Sequence, residues 1–88
     1  MNRLDQLLEF LNEDPADTFV LYSLAQEFIK NDDPGKALEY FIQLKEQDPG
    51  YVGMYYHLGK LYEAMGQPEQ AILTYEEGIE VARNQGDQ

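Results

Sequence analysis

At 88 residues with 43% apolar content, the chain suits one small folded domain and is too apolar for disorder. Seventeen acids against six bases leave a net charge of −11, which argues against nucleic acid and anionic membrane as partners, since both need clustered Lys and Arg. No cysteine is present, which excludes disulfides and thiolate metal sites, and no run approaches the ~18 apolar residues of a membrane span. The excess acid reads as a solvated surface or as a field that steers basic partners.

Residues 2–12 carry Leu4, Leu7, Leu8 and Leu11 at i, i+3, i+4 and i+7, with Phe10 widening the stripe, so they predict a short amphipathic helix. Asn2 is placed to cap it, with Asp5 in the first turn, and Asp14-Pro15 ends it. Asp17 caps a second helix over 18–30. That helix is apolar on most sides through Phe19, Val20, Leu21, Leu24, Ala25, Phe28 and Ile29, as expected of one sandwiched between neighbours. After Asn31-Asp32, Asp33 is the next cap and Pro34 occupies the first position of a third helix over 34–47. Asp48-Pro49-Gly50 stops it.

A fourth helix is expected over 52–65, closed by Gly66 in a left-handed conformation. Gly53 and Gly59 lie inside it. Each costs about 1 kcal/mol against Ala in a helix, a cost understandable at Gly59 if a partner helix approaches closely there. Pro68 opens a fifth helix that runs to about Asn84, with Gly86 as its stop and Asp87 as a possible N-cap for a continuing chain. No segment alternates with a period of two, so the expectation is all-α, five antiparallel helices in one domain.

Shifting the chain by 34 residues brings it into register with itself. Tyr55, Leu58-Gly59 and Tyr62, followed by Ala71, Tyr75 and Gly78, match Leu21, Leu24-Ala25 and Phe28, followed by Ala37, Phe41 and Leu44. Identities fall at Tyr22/Tyr56, Leu24/Leu58, Pro34/Pro68, Ala37/Ala71 and Glu46/Glu80. This period and its order of large, small and aromatic residues resemble the tetratricopeptide repeat. The resemblance implies a short right-handed α-solenoid of stacked helix-turn-helix units. Residues 2–15 would be an N-terminal half-repeat acting as a cap, 18–51 one repeat and 52–85 the next. The family's repeat-ending proline is present as Pro49 and replaced by Arg83 in the second copy.

No catalytic constellation is legible. His57 has no partner pattern for a triad or a metal, the acid pairs Asp32-Asp33 and Glu76-Glu77 lack the alternating ligands of a calcium loop, and no glycine-rich phosphate loop occurs. The expectation is therefore no enzyme activity, no cofactor and no bound metal. The resemblance instead implies a protein-interaction module. Its first helices would line a concave groove through Phe19, Tyr22, Gln26, Tyr56, His57, Lys60 and Glu63, with a peptide or partner protein as ligand. The alternative is that these are packing residues with their polar tips in water. The Lys and Asn clamp by which some family members hold a chaperone's terminal carboxylate is not reproduced, since Tyr22, Gln26 and His57 stand at its places and Lys60 where an amide is expected.

The second function class is structural. The last helix carries Ile72, Ile79, Val81 and Ala82, whereas Leu38 and Lys45 stand one repeat before the two isoleucines, so the later copy is the more apolar. Self-association through that stripe, as a homodimer or end-to-end stack, is the expectation. The start of the chain lacks the basic-then-apolar layout of a secretory signal, which points to the cytoplasm.

Overall fold

The computed structural model describes residues 2–86, and Asp87, with its capping role, lies outside them. It contains α1 (Arg3–Glu13), α2 (Thr18–Lys30), α3 (Pro34–Gln47), α4 (Val52–Ala64) and α5 (Pro68–Gly86), with no strand among the described residues. The chain divides into two compact units, Met1–Gln47 and Asp48–Gln88. The first holds α1–α3 and the second α4 and α5.

In the first unit α2 packs against both α1 and α3, as its nearly all-round apolar sequence requires. Leu7, Val20 and Leu24 form one cluster, with Leu4, Leu11, Phe28 and Tyr40 against it. Phe28 and Tyr40 stack with ring centroids 5.5 Å apart. Leu21, Ala25, Ala37, Phe41 and Leu44 are fully buried. The α1 stripe is narrower than its sequence predicts. Leu8 and Phe10 are exposed, so the part of α1 that packs, chiefly against α2, is narrower than its apolar stripe. Arg3 and Lys30 both reach the carboxylate of Glu27, each at 3.8 Å.

In the second unit α4 and α5 approach closely through two reciprocal glycine contacts. A Cβ on Gly59 would run into the Tyr75 ring, with Cδ1 at 2.7 Å, and one on Gly78 would lie 2.6 Å from Tyr55 Cβ. Each helix thus gives up one side chain to seat an aromatic ring of the other. Tyr55 is buried and its hydroxyl donates to the Pro49 carbonyl at 2.6 Å, so the deep ring satisfies its polar tip on the loop before α4. Leu58, Leu61, Met54 and Ala71 complete the buried apolar side chains of this unit, and Thr74 is buried beside them. Phe28, Tyr62 and Tyr75 are half-buried.

The caps follow the sequence. Asn2, Asp17 and Asp33 accept the backbone N–H of Asp5, Val20 and Lys36. α2 and α4 end identically. Asp33 N–H bonds the Phe28 carbonyl and Asp32 N–H that of Ile29. In α4, Gln67 N–H bonds Tyr62 and Gly66 N–H bonds Glu63. This is the Schellman arrangement, in which the residue after the C-cap turns left-handed. Gly66 has φ +75° as expected, and Asp32, 34 residues earlier, has φ +59° without being glycine. α5 runs on through Gly86 instead of stopping at Asn84. The Gln85 side-chain amide donates to the Gly50 carbonyl at 2.6 Å, which ties the extra turn to the loop before α4.

Candidate functional site

On α2, Phe19, Tyr22 and Gln26 recur at i, i+3 and i+7, and so share a face. Phe19 is 70% exposed, and Tyr22 and Gln26 are half-buried. A phenylalanine this exposed contributes little to the core of its own helix pair. On α4, Tyr56, Lys60 and Glu63 recur at i, i+4 and i+7. Tyr56 is 57% exposed, Lys60 and Glu63 are exposed, and His57 is half-buried beside them.

The α4 face is a connected set of contacts. The Tyr56 ring meets His57 edge-on at 5.4 Å and lies 6.4 Å from the Tyr75 ring. The Tyr75 hydroxyl donates to Glu63 Oε2 at 3.1 Å, and Lys60 Nζ lies 3.7 Å from the same oxygen. The Tyr75 phenol is pushed above the ordinary tyrosine value, first by partial loss of water, then by its bond to the Glu63 carboxylate and by that carboxylate's charge, with a further push from Tyr56. Tyr75 belongs to this face as well as to the Gly59 contact, a double role the sequence reading missed. The signal was available: a large ring opposite a glycine lies flat across the neighbouring helix, and its hydroxyl then emerges on that helix's exposed side.

A second feature lies where α4 and α5 meet. An open apolar depression of about 440 Å³ is lined by Val52, Tyr55 and Tyr56 of α4 and by Tyr75, Gly78, Ile79 and Ala82 of α5. Tyr56, expected in a groove, and Ile79 and Ala82, expected in a self-association stripe, therefore border one cavity. Ile72 and Ile79 are each 58% exposed, and Ala82 is exposed. Val81 is half-buried and stands roughly 200° around the helix from Ile79, so it is not part of the exposed stripe. Leu73, absent from the expected stripe, is 59% exposed. The chemistry on offer is apolar contact, aromatic stacking and hydrogen bonding to a carboxylate. Among the described residues, no group of three or more His, Cys, Asp or Glu is arranged to hold a metal ion, and no helix is long and apolar enough to cross a membrane.

The family model described as tetratricopeptide repeat matches residues 28–88. A curated relative, the TPR repeat-containing protein YpiA of Bacillus subtilis (strain 168), is 46% identical over 43 residues, which cover 49% of this chain and 10% of that protein. The chain thus spans about a tenth of that relative's length. A crystal structure of a tetratricopeptide repeat domain protein from Salinibacter ruber is 56% identical, covering 80% of this chain and 78% of that one with a TM-score of 0.73. A crystal structure of MamA is 19% identical and matches with a TM-score of 0.92 over 97% of this chain and 50% of its own, a likeness of fold. The repeating order of sizes, the matched helix ends and these likenesses agree: the chain belongs to the tetratricopeptide repeat family.

Proposed function

We propose that this chain is a protein-interaction module in which the exposed face of α2 in the first unit and that of α4 in the second each offer an anchor to a peptide segment or partner protein. The observation that carries this reading is the pair of large aromatics left in water on those helices, Phe19 at 70% and Tyr56 at 57% exposure. Rigid aromatic side chains offer much contact area at low entropic cost, which is why they anchor interfaces. Gln26, His57, Lys60 and Glu63 supply the polar contacts that set orientation. Family membership supports a scaffold over an enzyme. The test is capture of partners from the source organism's extract by the wild-type chain and by Phe19→Ala and Tyr56→Ala. A specific partner lost in both variants at unchanged helix content supports the module. A partner retained by both sinks this site.

A second reading, self-association through α5, is favoured by the exposure of Ile72, Leu73 and Ile79. Sedimentation equilibrium at about 0.1–1 mM detects contacts of even a few kcal/mol. A concentration-dependent dimer or stack dissociated by Ile79→Glu supports it, and a clean monomer removes it.

A further inference from the structure

The helices of this chain do not all begin in the same way. α1, α2 and α3 start on the side chains of Asn2, Asp17 and Asp33, each of which accepts a backbone N–H three residues on. α4 starts at Tyr51, which makes no side-chain capping bond, and its first turn holds no acid. A shift of 34 residues sets the loop before α2, Asp14-Pro15-Ala16-Asp17, against Asp48-Pro49-Gly50-Tyr51. The capping aspartate of α2 thus has a tyrosine in its place before α4, and Ala16 a glycine.

Two successive carbonyls of the loop before α4 are held instead. The Tyr55 hydroxyl donates to that of Pro49 and the Gln85 side-chain amide to that of Gly50, each at 2.6 Å. One face of α5 stands behind both bonds, since Gly78 is the notch that seats Tyr55 and Gln85 lies seven residues further on. Gly50 gives the amide its room, because a Cβ there would lie 3.0 Å from Gln85 Nε2. The earlier copy has no equivalent. Leu21, which has no hydroxyl, matches Tyr55, and α3 ends at Gln47, before the place that matches Gln85.

We propose that Gln85 is a strap that replaces the missing cap of α4, so that the first turn of α4 and the last turn of α5 open and close as one unit. A helix start without a cap leaves backbone N–H groups to water and opens at low cost. Holding the loop carbonyls fixes the direction in which the chain enters α4. Gln85 can hold its carbonyl only while the last turn of α5 stays helical, which is what joins the two turns. Tyr56 directly follows Tyr55 in the turn so held, so the strap governs how this exposed aromatic is presented. The strap acts within the second unit, whether or not a partner occupies Tyr56.

Amide hydrogen exchange of the isotope-labelled chain is the test, with 54–56 reporting the start of α4, 83–86 the end of α5 and 61–64 the rest of α4. Gln85→Ala should speed exchange at 54–56 by about two- to tenfold relative to 61–64, the range expected of one side-chain hydrogen bond. Gln85→Glu should do the same, because an ionised carboxylate has the reach of the amide but no proton to donate. Gln85 is exposed, so neither change threatens the fold. Tyr55→Phe, which removes only the hydroxyl, should in turn speed exchange at 83–86. Acceleration confined to 83–86 in the Gln85 variants overturns the inference, and so does equal acceleration along all of α4, which is general loss of stability. Wild-type protection in Gln85→Glu overturns it as well, since the amide would then not be the fastening group. If Tyr55→Phe leaves 83–86 unchanged, the two turns open separately and there is no strap.

Discussion

Gly59 and Gly78 do the same job with different tolerance. A methyl on Gly59 meets the ring of Tyr75, whose half-exposed side chain can swing outward, whereas a methyl on Gly78 meets Tyr55 at its Cβ, which moves only with the backbone. Ala gains about 1 kcal/mol of helix propensity at either place. Gly78→Ala is therefore expected to cost about 1–3 kcal/mol net and Gly59→Ala less than that, while Gly59→Leu, too large for the ring to evade, costs about 1–3 kcal/mol or more. Urea melts rank the three, and equal stability of Gly78→Ala and wild type would show that no close contact exists there. Tyr75 yields a prediction in pH. Its folded value is raised, so the neutral phenol contributes stability that is complete below the unfolded tyrosine value near ~10 and is lost as pH rises through the raised value. Spectrophotometric titration, differenced against Tyr75→Phe, should place this phenol above the ordinary range. Glu63→Gln should bring it down by removing the charge beside it, and no movement would mean that the 3.1 Å bond is not formed in solution.

At the scale of the helix, the two Schellman ends give a direct comparison. Gly66 adopts a positive φ at no steric cost, whereas Asp32 holds the same conformation with a side chain, which costs about 1 kcal/mol even though Asp tolerates it better than most residues. Asp32→Gly is expected to raise stability by up to about 1 kcal/mol. Asp32→Asn separates the conformational gain from the loss of one negative charge, and a destabilised Asp32→Gly would show that the turn relies on the Asp side chain. The helix limits were legible because their signals are local: a side-chain oxygen three residues before the N–H it caps, a proline at the first position, a glycine after the last turn. Asp32 was not legible, since an Asp in a turn reads as polar filler and only the shift onto Gly66 exposes its backbone. The exposure of Leu8 and Phe10 was equally hidden. Periodicity tells which residues share a face of α1, but the width buried depends on how many neighbours that helix has. Val81 misled for the converse reason, since it is near Ile79 in sequence and opposite to it on the helix. The groove residues came from the repeat register, and the depression did not, because it needs both helices and the floor left by Gly78.

For the molecule as a whole the governing quantity is charge. Arg3 and Lys30 pair with Glu27, Lys36 with Glu39, Lys60 with Glu63 and Arg83 with Glu80. All but the Arg3 pair join residues three apart on one helix. Exposed pairs of this kind contribute about 0–1 kcal/mol each and are weakened by salt. Against them stands a net charge of −11, whose self-repulsion opposes folding and is also weakened by salt. The two effects have opposite signs. Six bases can at most neutralise six of seventeen acids, so the unmatched acids dominate the sum. Raising NaCl from about 0.02 to 0.15 M shortens the screening length to roughly 8 Å, less than the span of a two-turn helix segment. The melting temperature should therefore rise over that range. A gain of about 1 kcal/mol would appear as some 4–8 °C in a domain of this size. Glu76→Gln with Glu77→Gln, which removes two neighbouring acids from α5, should raise the melting temperature at low salt and flatten its salt dependence. A melting temperature that falls with NaCl would mean that the few ion pairs outweigh the excess acid, and the surface would then have to be read as a network of attractions instead of a field of like charges.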